Sequence, residues 1–319
     1  MEQHQNSQEE NHNQYIPSTP QLALAALFLS IITGGIYVID TSPSQARVSV
    51  AATSRAIDPF LGMTLEAKSA LAVDLKTDEV LYALYPDIQL PLASLAKIAL
   101  VLSASEVLSP NESILMTNSA YTIGSADTLE VGEEWLVRDI VDYTLMGSSN
   151  GGALALERAA DQRLHALYPA SVLGSATLYR MNSLAKELGM LNTFFLNTSG
   201  LDEDTALSGA YGSAHDIVLL LEYALKHEDN FTGTTKEKLV MWKLGTPKSA
   251  VAFNTNEALP TIPGLVFGKT GFTDLAGGNL AVVFEPEPSH PVAVVILGST
   301  QSGRFADMTE LVRRVRGVF

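Results

Sequence analysis

The stretch Pro91-Leu92-Ala93-Ser94-Leu95-Ala96-Lys97-Ile98-Ala99-Leu100 decides how the rest of the chain is read. Ser94 stands where an apolar helical pattern begins, and Lys97 follows three residues later. On a helix, positions i and i+3 share a face one turn apart, so the hydroxyl and the amine meet without help from a distant segment. A serine hydroxyl is a weak nucleophile until a base takes its proton, and a neighbouring amine does this once its pKa has fallen. The helix start adds unpaired backbone N–H groups and a positive dipole end, which favour negative charge developing nearby. Alone, the pattern is common: a serine at a helix start is ordinarily an N-cap, and a lysine one turn further on is ordinarily solvated.

Two later segments add polar groups of the right kind. In Ser148-Ser149-Asn150, residues two apart in an extended loop point the same way, so a hydroxyl and an amide face one cleft. The hydroxyl could relay a proton and the amide could hold a substrate carbonyl; by itself Ser-x-Asn reads first as a helix N-cap. In Phe267-Gly268-Lys269-Thr270-Gly271-Phe272, a strand offers a cation and a hydroxyl to an anionic group, and Gly271 removes a side chain so that something can approach the backbone. Read without the others, this last segment is a surface strand end with a turn glycine.

In this order, Ser-x-x-Lys, Ser-x-Asn and Lys-Thr-Gly form the set of penicillin-binding proteins and serine β-lactamases. The chain resembles the low-molecular-mass penicillin-binding proteins, the serine-type D-alanyl-D-alanine carboxypeptidases. The likeness extends over framework segments: Val73-Asp74 and Tyr82, Met181-Asn182 with Lys186-Glu187-Leu188-Gly189-Met190, Asn192-Thr193 with Phe195, Gly200-Leu201-Asp202, and Lys269-Thr270-Gly271-Phe272-Thr273. It implies an α+β, β-lactamase/transpeptidase-like fold: a mixed antiparallel sheet flanked by helices, with a helical subdomain.

The resemblance also implies roles. Ser94 would attack the carbonyl of the penultimate D-alanine of a peptidoglycan stem peptide, giving an acyl-enzyme that water hydrolyses. Lys97 would be the base; its free pKa of about 10.4 must fall, and burial beside Lys269 would lower it. Ser148 would pass a proton towards the leaving amine, and Asn150 would hold the peptide and orient Lys97. Lys269, Thr270 and Arg304 would receive the terminal carboxylate. Backbone N–H groups of Ser94 and Phe272, beside Gly271, would form an oxyanion hole worth about 3 kcal/mol per donor. β-Lactams become the expected covalent inhibitors; no cofactor or metal is expected. Three departures stand out. Gly151-Gly152 replace the Asp-Ala that usually follows the second motif, which is expected to loosen the helix start. Thr198-Ser199-Gly200-Leu201 replace Pro-His-Gly-Leu, and no C-terminal β-rich domain or amphipathic membrane helix is expected after the last helix.

Composition narrows the alternatives. A net charge of −15 without a basic stripe argues against nucleic acid, and the absence of cysteine removes disulfides and thiolate metal sites. An apolar content of 46% is ample for a core. Residues 1–20 are polar and read as a disordered tail. Within 21–40, the uncharged run 22–39 is close to the roughly 20 residues of a membrane-spanning helix and lacks the basic leader of a secretory signal, so it reads as an uncleaved anchor. A linker over 41–60 and a catalytic domain over 61–319 follow. Arg47 and Arg55 after the span would leave that domain in the cytoplasm by positive-inside counting. The resemblance implies the opposite: a single-pass bacterial cell-membrane protein whose catalytic domain is extracytoplasmic.

Sequence patterning predicts a hairpin from 69–75 and 80–85, helices over 134–146, 153–167, 178–188 and 214–225, strands over 264–272, 279–284 and 292–298, and a terminal helix over 306–318. Strands at both ends with helices between predict one sheet in which the first hairpin neighbours the last strands. Gly147-Ser148-Ser149-Asn150-Gly151 also fits a Gly-x-Ser-x-Gly nucleophile elbow, with Ser149 attacking and His215 as partner, but a helix rather than a strand is predicted before it. No Glu-x-x-Leu-Asn segment supplies the deacylating carboxylate of a β-lactamase. A D-alanyl cross-link endopeptidase and a non-catalytic peptidoglycan-binding module remain the other readings.

Overall fold

The computed structural model describes residues 58–117, 129–169 and 174–319. The predicted polar tail, the apolar run and all but residues 58–60 of the linker lie outside the described residues. Among those described, no helix is long and apolar enough to cross a membrane.

The apolar run Ser-Ala-Leu-Ala-Val-Asp forms β1 (Ser69–Asp74), buried along its whole length. Asp74 ends it by accepting the backbone N–H of Lys76 at 2.8 Å, and Asp78 takes a positive φ in the turn to β2 (Glu79–Leu84). β3 (Leu90–Pro91) and a 3-10 turn (Ala93–Leu95) lead into α1 (Ala96–Ser105). A hairpin of β4 (Ser113–Leu115) and β5 (Glu134–Leu136) precedes α2 (Val137–Met146), α3 (Asn150–Leu167) and α4 (Ala176–Glu187). β6 (Phe194–Phe195) and β7 (Ala210–Gly212) join β3 in a small sheet ordered β3-β7-β6, and α5 (Ala214–Leu225) follows. A hairpin of β8 (Lys238–Trp242) and β9 (Ser249–Phe253) then gives way to β10 (Leu265–Thr273), β11 (Gly277–Glu287), β12 (His290–Ser299) and the final helix α6 (Gly303–Val315).

The main sheet has five strands in the order β10-β11-β12-β1-β2, each pair antiparallel. As the ends of the sequence predict, β1 lies against β12, with Ser69 opposite Leu297 and Asp74 opposite Val292. Alternation along the strands feeds two cores. Leu71, Val73, Ala281, Val283, Ala293, Val295 and Leu297 face the large helical side, while Ala70, Ala72, Leu280, Val282, Phe284, Val292, Val294 and Ile296 face the other. There Met308, Leu311, Val312 and Val315 of α6 close over them. α1 is the hub of the helical side: every residue from Ala96 to Ala104 is buried. A helix apolar all round has no solvent face to offer, so it is enclosed by its neighbours.

Two patterns resolve differently from their reading in sequence. Residues 134–136, read as the start of a helix, pair with β4 as β5, with Trp135 buried opposite Ile114. The sequence pattern does not predict the β8–β9 hairpin, because its buried β9 positions are the small Ala250 and Ala252 while Trp242 and Phe253 are exposed.

Candidate active site

The residues before Ser94 are held from two sides. Leu92 N–H bonds Ala210 O of β7 at 2.9 Å, and Asn279 Nδ2 of β11 donates to Pro91 O at 3.0 Å. Ala93 takes φ 50°, unusual for a residue with a Cβ, and this sharp turn delivers Ser94 to the foot of α1. The turn sits between two glycines. A Cβ on Gly271 would lie 2.8 Å from Leu92 O and 3.3 Å from Ser94 N; one on Gly200, whose φ is +78°, would overlap Ala93 O. Both β10 and the loop 197–202 therefore reach the turn ahead of Ser94 backbone to backbone.

Lys97 follows on the same helical face and is fully buried. Its Nζ lies 2.7 Å from Ser94 Oγ, 2.8 Å from Asn150 Oδ1 and 2.9 Å from the backbone carbonyl of Ser199. Asn150 stands at the first turn of α3, and Ser149 caps that helix by accepting the N–H of Gly152 at 2.8 Å. Ser148 and Asn150 do face one cleft, but not through an extended segment: Ser148 is left-handed at φ 57°, and this turn swings its hydroxyl to Lys269 Nζ, 2.8 Å away. Gly151 and Gly152, expected to loosen the helix start, lie where α3 packs on α2. Both are buried, and a Cβ on Gly152 would lie 2.4 Å from Thr144 Oγ1, so the missing side chain lets α3 close on α2.

Lys269, on β10, is 2% exposed and also donates to Thr270 O at 2.8 Å. Burial, and then the charges of Lys97 and Arg304, push its amine well below the ordinary lysine range. The hydroxyls of Thr270 and Thr255 lie 2.6 Å apart. Arg304, at the start of α6, donates to Gly271 O at 2.6 Å, with its guanidinium 4.6 Å from the centroid of Phe305 and 5.9 Å from that of Phe272. Phe272 itself is 42% exposed. Ser94, Lys97, Ser148, Asn150, Lys269, Thr270, Gly271, Phe272 and Arg304 thus form one linked cluster, drawn from α1, the start of α3, β10 and α6.

The elbow reading is excluded by the same geometry. The Ser149 hydroxyl is committed to capping α3, and His215 lies half-exposed on α5 with Nδ1 3.1 Å from Asp87 Oδ1. Sequence reasoning missed the carbonyl of Ser199, the hydroxyl of Thr255 and the fully buried Asn279. Only the first left a trace, in the altered Thr198-Ser199-Gly200-Leu201 loop.

Fold and cluster together define the penicillin-binding-protein and transpeptidase class. Residues of this chain superpose on a D-alanyl-D-alanine carboxypeptidase of Mycobacterium tuberculosis with a TM-score of 0.67 at 21% identity, covering 80% of this chain and 92% of that one. They superpose on penicillin-binding protein D2 of Listeria monocytogenes in its ampicillin-bound form with a TM-score of 0.63 at 27% identity, covering 79% and 98%. The family model described as D-alanyl-D-alanine carboxypeptidase matches residues 52–301, and the chain belongs to that family. Among curated relatives, D-alanyl-D-alanine carboxypeptidase DacF of Bacillus subtilis is 30% identical over 296 residues, 89% of this chain and 69% of that protein. The D-alanyl-D-alanine endopeptidase of Pseudomonas aeruginosa is 29% identical over 276 residues, 82% of each.

Proposed function

We propose that this protein is a D-alanyl-D-alanine carboxypeptidase that trims peptidoglycan stem peptides through an acyl-enzyme on Ser94. The observation that carries this is the buried contact of Lys97 Nζ with Ser94 Oγ at 2.7 Å, beside Asn150 Oδ1 at 2.8 Å. Two of the neighbours of Lys97, Asn150 Oδ1 and Ser199 O, can only accept hydrogen bonds, whereas the Ser94 hydroxyl can also donate. In a neutral amine the two N–H bonds satisfy the acceptors, and the lone pair is left for the Ser94 proton.

Ser94 Oγ gives its proton to Lys97 as it bonds to the carbonyl carbon of the penultimate D-alanine, and the carbonyl becomes an oxyanion between the N–H groups of Ser94 and Phe272. As the peptide bond breaks, the proton passes through Lys97 and Ser148 to the departing amine. Water then adds to the acyl carbon, and Ser94 leaves with a proton restored. Lys269 and Thr270, with Arg304 behind them, form the cationic end that holds the terminal carboxylate. Thr255 shares the Thr270 hydroxyl and fixes its direction. The catalytic domain works outside the cytoplasm, where this substrate lies, and the apolar run at 22–39 tethers it to the membrane.

A second reading, cleavage of D-alanyl cross-links, is favoured by one observation: the endopeptidase relative matches over an equal, large share of both chains. Incubation with a stem pentapeptide and with a cross-linked muropeptide, following free D-alanine and cleaved dimer, separates the two. Covalent labelling by a fluorescent penicillin should vanish in Ser94→Ala; retained label would remove Ser94 as the nucleophile.

A further inference from the structure

The loop 197–202 reaches the Ser94 turn, α1, α3 and the end of β10. Gly200 packs on Ala93 O ahead of Ser94, and Asp202 accepts the Thr273 hydroxyl at 2.9 Å and the N–H of Leu275 at 3.3 Å beyond the Lys-Thr-Gly strand. Between them, Ser199 O reaches Lys97 Nζ at 2.9 Å. Inside the loop, Asn197 Oδ1 accepts the N–H of Gly200 at 2.7 Å, and its Nδ2 donates to Leu201 O at 2.9 Å. The Thr198 hydroxyl ties the loop to α3, donating to Glu157 Oε2 at 2.7 Å, while the Asn197 N–H bonds Gly209 O at 3.1 Å on its other side. Thr198 is 4% exposed.

Glu157 lies on α3, two turns along from Asn150. Both carbonyl-type acceptors of Lys97 are therefore referred to one rigid body. Asn150 is part of α3, and Ser199 is fastened to it through the neighbouring Thr198. The plane of the Ser199 carbonyl is held inside the loop by Asn197 Oδ1, which accepts the Gly200 N–H of the same peptide unit, so what the Thr198–Glu157 bond adds is the tie of this loop to α3 and to Asn150.

We propose that Thr198 is a positioning residue for Lys97: its bond to Glu157 holds the Ser199 carbonyl on the amine and so fixes where the lone pair of the neutral amine points. The proposal rests on the reading of Lys97 as the base for Ser94. A carbonyl aimed at an amine favours the charged over the neutral form. Releasing it makes Lys97 give up its proton at lower pH while its lone pair is less well aimed at Ser94 Oγ. Rate and pH dependence then move apart, which a merely structural role would not produce.

The test uses the full chain as wild type, Thr198→Val, Thr198→Ser and Glu157→Gln. The second-order rate of acylation by a fluorescent penicillin is followed from pH 5 to 10, and the Lys97 side chain is titrated by 13C NMR of its Cε. In Thr198→Val the acylation plateau should fall about tenfold, the worth of one lost hydrogen bond. The acid limb and the NMR midpoint should move down by roughly half a pH unit. Thr198→Ser should restore both, and Glu157→Gln should shift them in the same direction by less, serving also if Thr198→Val does not fold. A Thr198→Val enzyme with wild-type plateau and midpoint overturns the proposal, as does a lower melting temperature with an unmoved midpoint. If the wild-type chain does not acylate at all, the function proposed above fails, while the NMR midpoint still decides the role of Thr198.

Discussion

Gly271→Ala puts one methyl group against the turn that carries Ser94, the proposed nucleophile. Its Cβ would stand 2.8 Å from Leu92 O, about 0.6 Å inside ordinary contact, and 3.3 Å from Ser94 N and the Ala93 Cβ. None of these can swing aside as the end of a flexible side chain could. Pro91 is tied to Asn279, Leu92 to Ala210, and Gly271 O to Arg304. The strand must therefore back away, taking the Phe272 N–H and the Lys269 side chain with it. A misplacement of about 1 Å costs roughly a hundredfold in rate, so about 0.6 Å should cost 10- to 30-fold. Overpacking costs about 1–3 kcal/mol, partly offset by the lower entropy of alanine in the unfolded chain, so the melting temperature should drop by only a few degrees. Stopped acylation reactions with a fluorescent penicillin at 20 °C, far below the melt, read the chemistry without the stability loss. A folded variant that acylates within twofold of wild type would show that β10 has slack at this point, and the close approach would then have no bearing on rate.

Other outcomes follow from the same contacts. Because burial and neighbouring cations depress the Lys269 pKa, the advantage of a peptide with a free carboxylate over its amide should grow as pH falls through that lowered value, read from KM for the two substrates; a pH-independent ratio would remove Lys269 from carboxylate binding. Asp142 is raised by burial to about 6, so its uncharged form stabilises the fold fully below about pH 4, and that contribution is lost as pH rises through 6. Asp142→Asn should flatten this slope and raise stability at pH 7 by at most about 3 kcal/mol, measured by urea unfolding at pH 4 and pH 7. Asn279→Ala leaves Pro91 O and the N–H of Gly298 without their buried partner and should cost about 2–4 kcal/mol, visible as a lower urea midpoint at constant slope.

The candidate cluster was legible because its residues are local in pairs. Ser94 and Lys97 are one turn apart, Ser148 and Asn150 bracket a helix start, and Lys269 and Thr270 share a strand, so residue types and short spacings already imply what meets what. The sheet was legible for a similar reason: β11 and β12 are long apolar runs that only burial on both faces explains. What stayed hidden depends on backbone turns or on partners far along the chain. The left-handed conformations of Ala93 and Ser148 belong to residues that rarely adopt them, so nothing in the letters announces them. Thr198 and Glu157 are ordinary polar residues until the loop lies on α3. Trp135 was assigned to the wrong element because a three-residue strand running into a helix has no period of its own.

The strand that fills the gap between the first hairpin and β11 is β12, close to the end of the sequence. During synthesis the hairpin of β1 and β2 is made with one edge unmet, and it stays so until β12 has followed. The helices in between have no finished platform to settle on before then. The sheet therefore closes through a pairing distant in sequence, a slow step that leaves the β1 edge open to wrong partners until β12 reaches it.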